Sequence, residues 1–309
     1  MTPSVVRFID LFCGVGGFRL GMEEACRARG DLAAECALSS DIDPHCQAMY
    51  EANFGHRPFG DISALSENDI PAHDLLLAGF PCQPFSIIGQ MKGFQDTRGT
   101  LFFDIARILS AARPRAFVLE NVKQLAGHDG GRTLATIQTT LEGLGYRVWR
   151  AVLNALDYGL PQKRERIFIV GSRVFDDFAF PPPRRPYKSL DEILEREVAA
   201  KYYASEHIRN RRKAAHQSAH YPAVWHENKS GNISSYPYSC ALRAGASYNY
   251  LLVNGERRLT PREMFRLQGF PDSYKIVVGD VHARKQAGNA VPVNLVAAVV
   301  GEALARLYP

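Results

Sequence analysis

The chain has 309 residues, of which 46% are hydrophobic and 22% charged, with a net charge of +5, and these proportions are typical of a soluble globular protein. No run approaches the roughly 18 uninterrupted apolar residues of a membrane span, and the first residues lack the basic start and long apolar stretch of a signal peptide, so a cytoplasmic protein without a membrane partner is predicted. The six cysteines include no C-x-x-C pair, which argues against a zinc site or a redox dithiol.

The predicted elements of the first half alternate between strands and helices. An apolar strand over 5–12 leads through a glycine-rich turn into a helix over about 18–29 with one apolar face. The next elements are strands over 35–40, 73–79 and 115–119 and helices near 44–53, 100–111 and 131–144. This alternation predicts βαβ units around a parallel sheet. Two further strands, near 146–154 and 166–171, are separated only by a loop and are predicted to pair antiparallel.

A cluster of prolines over 180–186 predicts a domain boundary, because prolines cannot continue a helix or a central strand. The region beyond it is predicted to be irregular. Residues 201–250 hold seven Lys or Arg against two acidic residues, and eight of the thirteen tyrosines fall between Tyr187 and Tyr250. A basic, aromatic-rich segment is typical of a surface that binds nucleic-acid phosphates and bases, although a solvated face beside an ordinary core is an equal alternative.

Helical structure is predicted to return towards the C-terminal end. Thr260 can cap a helix that has Pro261 at its first position and Glu263 at its third. The last predicted helix covers 292–307.

The glycine-rich turn after the first strand has the arrangement of a nucleotide-binding unit. A strand, a turn and a helix are followed by the acid Asp41, 24 residues after Gly17, where it can accept hydrogen bonds from ribose hydroxyls. The spacing in Gly14-Val15-Gly16-Gly17 differs from the G-x-G-x-x-G pattern that serves a pyrophosphate. It suits a cofactor with adenosine but no diphosphate, such as S-adenosylmethionine, although glycines that only permit tight packing remain an alternative.

Polar residues follow several of the predicted strands, where ligands bind an open α/β sheet. They are Asp10, Asp41, Asp61, Cys82 and the pair Glu120–Asn121. Cys82 lies between two prolines, which stiffen the chain as it leaves its strand and so orient the side chain. A carboxylate after a strand can be an ordinary helix cap, but a nucleophile and an acid on neighbouring strand ends beside a cofactor turn favour a catalytic site.

Nine segments resemble, in the same order, those of the cytosine-C5 DNA methyltransferases, especially the compact bacterial enzymes of restriction–modification systems. They are DLFCGVGGF (10–18), DIDP (41–44), GDIS (60–63), GFPCQPFS (79–86), RGTLFFDIARIL (98–109), ENV (120–122), LNALDYGLPQKRERIFIVG (153–171), RRLTPREMFRLQGFPDSYK (257–275) and KQAGNAVPVNL (285–295). The resemblance covers nearly everything except about 172–256. It implies an α/β fold with a Rossmann-like, S-adenosylmethionine-dependent methyltransferase sheet and a smaller, irregular target-recognition domain.

The domain boundaries follow from this resemblance. It implies a catalytic and cofactor-binding domain over 1–175, a target-recognition domain over 176–282, and a C-terminal helix over 283–309 that returns to the catalytic domain. The base-reading loops of the family correspond to 239–255, where the sequence leaves open which of Arg243, Ser247, Tyr248 and Asn249 contacts a base.

The resemblance also assigns catalytic roles. The Cys82 thiolate would add to C6 of a cytosine, Glu120 would contact N3 and the exocyclic amine, and Arg166, with Arg164, would orient the base through its carbonyl. C5 would then attack the methyl group of S-adenosylmethionine, and loss of the C5 proton would expel the cysteine. Because C6 is inaccessible in a stacked duplex, the base must be flipped out. The loop 83–99 resembles the lid that closes over it.

No metal is implied, and S-adenosylmethionine would be the co-substrate. The residues that would bind it are Phe12, Gly14, Gly17, Phe18, Asp41, Asp61, Ile62, Pro81, Leu101, Asn289 and Val291. Two positions depart from the family pattern. Cys13 stands where Ala or Ser is usual, a change that conserves size. Asp41 stands where Glu is usual; it keeps the carboxylate but is one methylene shorter, which reduces its reach towards the ribose.

The implied partner is double-stranded DNA, bound by a monomeric bacterial enzyme in the cytoplasm and at the nucleoid. A cognate restriction endonuclease could act on the same site without stable contact. Three alternatives remain at this point: a member of the same family that methylates a tRNA cytosine, a catalytically silent DNA-binding module and, more distantly, a nicotinamide oxidoreductase.

Overall fold

A computed structural model describes residues 2–81, 101–183 and 186–309. The chain divides into two compact units. Unit 1 comprises Met1–Leu153, Glu165–Pro182 and Leu295–Pro309, and unit 2 comprises Asn154–Arg164 and Pro183–Asn294. The segment Asn154–Arg164, which the resemblance assigns to the catalytic domain, therefore lies in unit 2.

The helices and strands of the described residues alternate through unit 1 and become short in unit 2. In chain order they are β1 (Ser4–Leu11), α1 (Gly17–Arg29), β2 (Leu32–Ser40), α2 (Pro44–Phe54), β3 (Leu75–Gly79), α3 (Leu101–Ala112), β4 (Ala116–Val122), α4 (Arg132–Gly143), β5 (Arg147–Asn154), β6 (Gln162–Lys163), β7 (Glu165–Ser172), α5 (Glu206–Ala215), β8 (Val224–Glu227), β9 (Ile233–Tyr236), β10 (Ser239–Cys240), β11 (Leu251–Val253), α6 (Pro261–Leu267), α7 (Asp280–Asn289) and α8 (Val293–Leu307). Short 3₁₀ turns connect several of them.

The main sheet of unit 1 has six strands in the order β2-β1-β3-β4-β7-β5. The strands β2, β1, β3 and β4 run parallel, and β7 is antiparallel to β4. The sheet is therefore mixed, and the predicted α/β fold is confirmed. The sequence Leu75–Ala78 of β3 is completely buried, as expected for a parallel strand with both faces covered.

A hydrophobic core joins the sheet to α3 and α4. Ile9, Leu76 and Phe117 from three neighbouring strands lie in one cluster with Ile105 of α3 and Ile137 of α4. The carboxyl ends of the parallel strands β1, β2, β3 and β4 lie at one edge of this sheet, which is where ligands bind an open α/β sheet.

The other face of unit 1 is completed by the last helix. Gly21 of α1 lies so close to α8 that an added Cβ would be 2.4 Å from Cγ1 of Val296. The predicted C-terminal helix is confirmed as α8. Glycine at position 21 is therefore required by packing, because any side chain would separate the two helices.

One stretch of the described residues, Asp280–Leu307, is long and apolar enough to cross a membrane by length and composition alone. It is broken in the middle, since α7 ends at Asn289 and Ala290 has non-helical backbone angles (φ −58°, ψ 142°) before α8 begins. Of its apolar window, 67% is buried inside the structure, as in the core helix of a soluble protein.

Unit 2 is more regular than the sequence predicts. The region expected to be irregular contains α5 and a three-stranded antiparallel sheet in the order β11-β8-β9. Apolar periodicity does not predict helix α5, because its one buried side chain is the charged Arg212 and not an apolar residue. The three strands have only three or four residues each, too few to display an alternating pattern.

Candidate active site

The glycine-rich turn after β1 adopts conformations that demand glycine. Gly14 and Gly16 have φ angles of 53° and 81°, in the left-handed region that side chains disfavour. A Cβ on Gly16 would lie 2.3 Å from the ring of Phe54, whereas one on Gly14 would approach only the carbonyl oxygen of Phe12, at 4.0 Å. Gly16 thus allows the turn to pack closely against Phe54, and Gly14 leaves the backbone of the turn accessible to a ligand.

Asp41 ties this turn to the end of β2. Its Oδ2 accepts a 2.8 Å hydrogen bond from the backbone N–H of Gly14, and its Oδ1 accepts another of 2.8 Å from Asp43 N–H. The next residue, Ile42, is an aliphatic side chain that is 73% exposed. Sequence reasoning missed Ile42, although an apolar residue directly after a strand-end carboxylate is a readable signal.

Asp61 and Ile62 lie beside the same strand end. Phe59 N–H donates to Ser39 O, and Asp41 N–H donates to Phe59 O, which holds this segment against β2. Asp61 is exposed and accepts from Ser63 N–H at 2.9 Å. The Ile62 side chain is buried in the core, so only its backbone can face a ligand.

Phe18, Gly79 and Glu120 come together beneath the strand ends. Phe18 is buried near the start of α1, and its ring lies 3.4 Å from the position that a Cβ on Gly79 would occupy. Oε2 of Glu120 lies 3.5 Å from the same position. The missing side chain at Gly79 therefore makes room for both groups.

Glu120 forms an ion pair with Arg166. Glu120 lies opposite Gly79 on β3, and Arg166 lies opposite Val122 on the antiparallel strand β7. Nε of Arg166 is 2.9 Å from Oε1 of Glu120, and the two side chains are only 13% and 11% exposed. The pairing of β4 with β7 thus brings an acid and a guanidinium into a mostly enclosed position at the edge of the sheet.

Asn121 holds the chain that leads to Cys82. Its Nδ2 donates a buried 2.9 Å hydrogen bond to the carbonyl oxygen of Phe80, and the Phe80 ring packs 6.0 Å from that of Phe102. Pro81 is exposed. Cys82 itself and the predicted lid over 83–99 lie outside the described residues.

The remaining predicted residues have contrasting environments. Leu101 is the half-buried first residue of α3 and belongs to unit 1. Asn289 is exposed at the end of α7, and Val291 is buried; both belong to unit 2. No group of three or more His, Cys, Asp or Glu that could hold a metal ion occurs in the described ranges.

Arg164 is almost completely buried, with 1% of its surface exposed. Its Nη1 donates to Leu242 O at 2.8 Å, and its Nη2 donates to Gly288 O and Ala290 O at 2.8 and 2.9 Å. The guanidinium thus joins two segments of unit 2, the loop at Leu242 and the end of α7, through their backbone carbonyls.

Sequence similarity identifies the family of this chain. The family described as C-5 cytosine-specific DNA methylase matches residues 6–305. The chain belongs to this family. It is 54% identical to the Type II methyltransferase M.NgoBI of Neisseria gonorrhoeae over 94% of this chain and 90% of that protein. It is 53% identical to M.HaeII of Haemophilus aegyptius, over 95% and 91% of the two chains.

The fold is also similar to solved methyltransferase structures. Dnmt2 of S. pombe has a TM-score of 0.75 at 21% identity, covering 98% of this chain and all of that one. The Entamoeba histolytica methyltransferase EhMeth has a TM-score of 0.73 at 16% identity, covering 99% and 100%. The predicted methyltransferase fold is confirmed, and the chain is a DNA cytosine-C5 methyltransferase.

A methyltransferase of this family uses S-adenosylmethionine, and residues of unit 1 fit that molecule. Asp41 is a carboxylate of the kind that accepts from ribose hydroxyls, and the neighbouring Ile42 offers an exposed apolar surface to a base. The first turn of α1 has no side-chain cap, so its backbone N–H groups can donate hydrogen bonds to the carboxylate of the amino-acid part of S-adenosylmethionine. Together with the approachable backbone at Gly14, this set suits an adenosine that carries an amino acid.

Four of the five other cysteines of this DNA methylase have the wrong chemistry for a nucleophile. Burial raises the pKa of Cys26 and of Cys36 to about 11. Burial, with Asp10 and Asp41 nearby, also raises the pKa of Cys13 well above its usual range, and burial raises that of Cys240. These four thiols stay protonated at neutral pH, whereas a nucleophile must be a thiolate.

Proposed function

We propose that the chain methylates C5 of a cytosine within one short, specific sequence of double-stranded DNA, as the modification enzyme of a restriction–modification system. The enclosed pair Glu120–Arg166, next to the backbone that leads into Cys82, carries the proposal. The names of M.NgoBI and M.HaeII, both Type II methyltransferases, support the restriction–modification context.

Cys82 is the proposed nucleophile. Asn121 anchors Phe80 two residues before it, and Pro81 restricts the backbone between them. Its thiolate adds to C6 of a cytosine that has been flipped out of the duplex. The anchored approach favours this addition by limiting the directions that the thiolate can take.

Glu120 and Arg166 act together on the base. As the C6 adduct forms, negative charge develops on the ring, and a carboxyl group that hydrogen-bonds at N3 and the exocyclic amine offsets it. Arg166 holds Oε1 of Glu120 through Nε, and its Nη1 donates to Glu165 O at 2.8 Å. The remaining N–H groups of its guanidinium can donate to the cytosine carbonyl. Arg166 thus orients both the acid and the base.

S-adenosylmethionine, when bound, supplies the methyl group. We assign its binding in unit 1 to Phe12, Gly14, Gly17, Phe18, Asp41, Asp61, Pro81, Leu101 and the backbone of Ile62, and we add Ile42. Asn289 and Val291 of unit 2 complete the proposed set. Both carboxylate oxygens of Asp41 already accept from backbone N–H groups, so its ribose contact would use the remaining lone pairs.

Arg164 takes a different role from Arg166. Its guanidinium donates to three backbone carbonyls and is almost completely buried. These contacts support a positioning residue that joins the loop after Leu242 to the end of α7. The base contact is therefore assigned to Arg166 alone.

Unit 2 is the proposed target-recognition domain, and the enzyme is proposed to act as a monomer on nucleoid DNA in the bacterial cytoplasm. A cognate endonuclease would meet it only at the shared site. A monomer suffices if each encounter modifies a single flipped base.

Bisulfite sequencing of DNA from cells that express the protein tests the function, because it reveals both modification and motif. We expect one methylated motif with the native chain and none with Cys82→Ala, although S-adenosylmethionine binding persists in the variant. DNA with 5-fluorocytosine at the target should trap the native protein covalently, since fluorine blocks the final elimination. Unmodified DNA together with methylated tRNA would overturn the proposal in favour of an RNA substrate, and unmodified nucleic acid in both would indicate a silent binding module.

A further inference from the structure

Four of the seven basic residues in segment 201–250 form ion pairs within unit 2. Arg211 and Arg212 both pair with Glu227 at 2.7 Å. Lys201 pairs with Asp280 at 2.7 Å, and Lys213 pairs with Glu256. A count of charges therefore overstates the cations that this segment can offer to DNA.

Several other arginines of unit 2 have no acidic partner within the part of the chain that the structure describes, and three of these lie over a tyrosine ring. Cζ of Arg258 is 5.7 Å from the centre of the Tyr248 ring, but its guanidinium already donates to the carbonyl oxygens of Lys201, Tyr202 and Tyr203. The other two are Arg243 and Arg284. Cζ of Arg243 is 4.8 Å from the centre of the Tyr250 ring, and Cζ of Arg284 is 3.9 Å from that of Tyr248. Tyr248 is 46% exposed, so one side of this stack borders solvent.

The loop that carries the tyrosines is held firmly at both ends. At its start, Leu242 O accepts from Arg164, and Arg243 N–H donates to the Tyr250 hydroxyl at 3.0 Å. At its end, Asn249 O accepts from the fully buried Arg212. Between these anchors, residues 243–245 and 247–248 are exposed. The backbone is thus fixed while the side chains face outward.

Helix α7 brings Arg284 to this loop. One turn after Arg284, Gly288 lies so close to the loop that an added Cβ would be 2.4 Å from Ala244 N and 2.7 Å from the carbonyl carbon of Arg243. Residues four apart share a helix face, so the same face of α7 that contacts the loop presents Arg284 to Tyr248. Arg284 lies outside the segment 239–255 that corresponds to the base-reading loops.

We infer that Arg243 and Arg284 are the arginines that read guanine edges of the target sequence. This inference rests on the proposed function, because it takes DNA as the substrate. A guanidinium that lies on an aromatic ring is restrained in one plane, and its two outer N–H groups match the paired acceptors O6 and N7 of guanine in the major groove. A phosphate contact needs no such restraint.

Binding of Arg284→Ala and Arg243→Ala to two duplexes tests this inference, one containing the motif found by bisulfite sequencing and the other lacking it. Each variant should lose about 5- to 150-fold in affinity for the motif duplex and little for the other. Replacing one guanine of the motif by 7-deazaguanine removes the N7 acceptor. This change should weaken binding by the native protein. It should not further weaken binding by the variant that lacks the arginine contacting that guanine.

Three controls separate base reading from charge and folding. Arg196→Ala removes the same charge from an exposed position of unit 2 and should leave the preference for the motif unchanged. Tyr248→Phe keeps the ring under Arg284 and should retain the preference, whereas Tyr248→Ala should lose part of it. Thermal unfolding of every variant identifies losses that come from misfolding.

Each alternative outcome has its own signature. Equal losses on both duplexes, with a shallower salt dependence and rescue by Arg284→Lys, would mean phosphate contacts and would overturn the inference. Unchanged binding by the alanine variants would also overturn it, while methylation by the native chain would leave the proposed function intact. A native chain that neither methylates nor binds the motif duplex would overturn both.

Discussion

Glu120 and Arg166 place two opposite charges in a mostly enclosed position. Replacing Glu120 by Gln retains the shape and one hydrogen bond, but the variant cannot deliver a proton. We expect turnover to fall by about 10²–10⁴-fold, with little change in the affinity for S-adenosylmethionine or DNA. Release of tritium from C5-labelled cytosine should fall in parallel, because this exchange also requires the C6 adduct.

The same substitution has a structural cost that must be measured separately. Half of a buried ion pair is left behind, so we expect the free energy of unfolding to drop by about 1–3 kcal/mol. Near-normal turnover in a folded Glu120→Gln protein would remove Glu120 from the mechanism. A loss of stability without a loss of rate would make it a structural residue only.

Asn121 of β4 holds the chain that follows the neighbouring strand β3. Asn121→Ala removes the donor to Phe80 O, and leaving that buried oxygen unpaired costs about 1–3 kcal/mol of stability. We expect a lower kcat and slower trapping by 5-fluorocytosine DNA, because the backbone that leads to Cys82 loses its anchor at Phe80. The affinity for S-adenosylmethionine should be unchanged. The exposed Asn68→Ala is the control. Trapping at the native rate by Asn121→Ala would contradict this positioning role.

Elements with a local signature were the predictable ones. The capping box is confirmed, since Glu263 N–H donates to Thr260 Oγ1 at 3.2 Å and Thr260 N–H donates to Glu263 Oε2 at 2.8 Å. The glycine turn and the buried strands were equally readable from short patterns. Helix α5 was missed because its packing depends on Arg212 and Glu227, which are joined by a contact that no local pattern encodes.

At the scale of the whole molecule, the site depends on residues far apart in the chain. The two arginines of QKRER looked equivalent in sequence, yet Arg166 pairs with Glu120 and Arg164 contacts carbonyls 78 to 126 residues away. Ion pairs within unit 2 likewise occupy Lys and Arg side chains that a count of charges treats as available to bind DNA. These tertiary contacts mark the limit of prediction from a single sequence.

Exchange of segments with a relative that methylates another motif tests the division into units. We expect exchange of Asn154–Arg164 together with Pro183–Asn294 to transfer the motif, because the reading loop, Arg164 and α7 move as one set. Exchange of 172–256 alone should give a weaker preference, since it separates the loop from Arg284. Bisulfite sequencing reads both outcomes. An unchanged motif after the larger exchange would show that recognition lies elsewhere.

The replacement of Arg164 by Met offers a smaller test of the same coupling. The three carbonyls lose their donor, so we expect lower stability and poorer discrimination between motif and non-motif DNA, although Arg164 touches neither. The variant Arg164→Lys restores charge but not the fork of donors and should recover little of the discrimination. Full discrimination in a folded Arg164→Met protein would refute the coupling.

The contact of α1 with α8 sets an order of events during protein synthesis. Gly21 is translated long before Val296, against which it packs. A nascent chain therefore carries the glycine turn and the strands of unit 1 with one helix face uncovered until α8 has been translated. We therefore expect a chain that stops before α8 to lack this helix contact and to expose an apolar surface to chaperones and proteases.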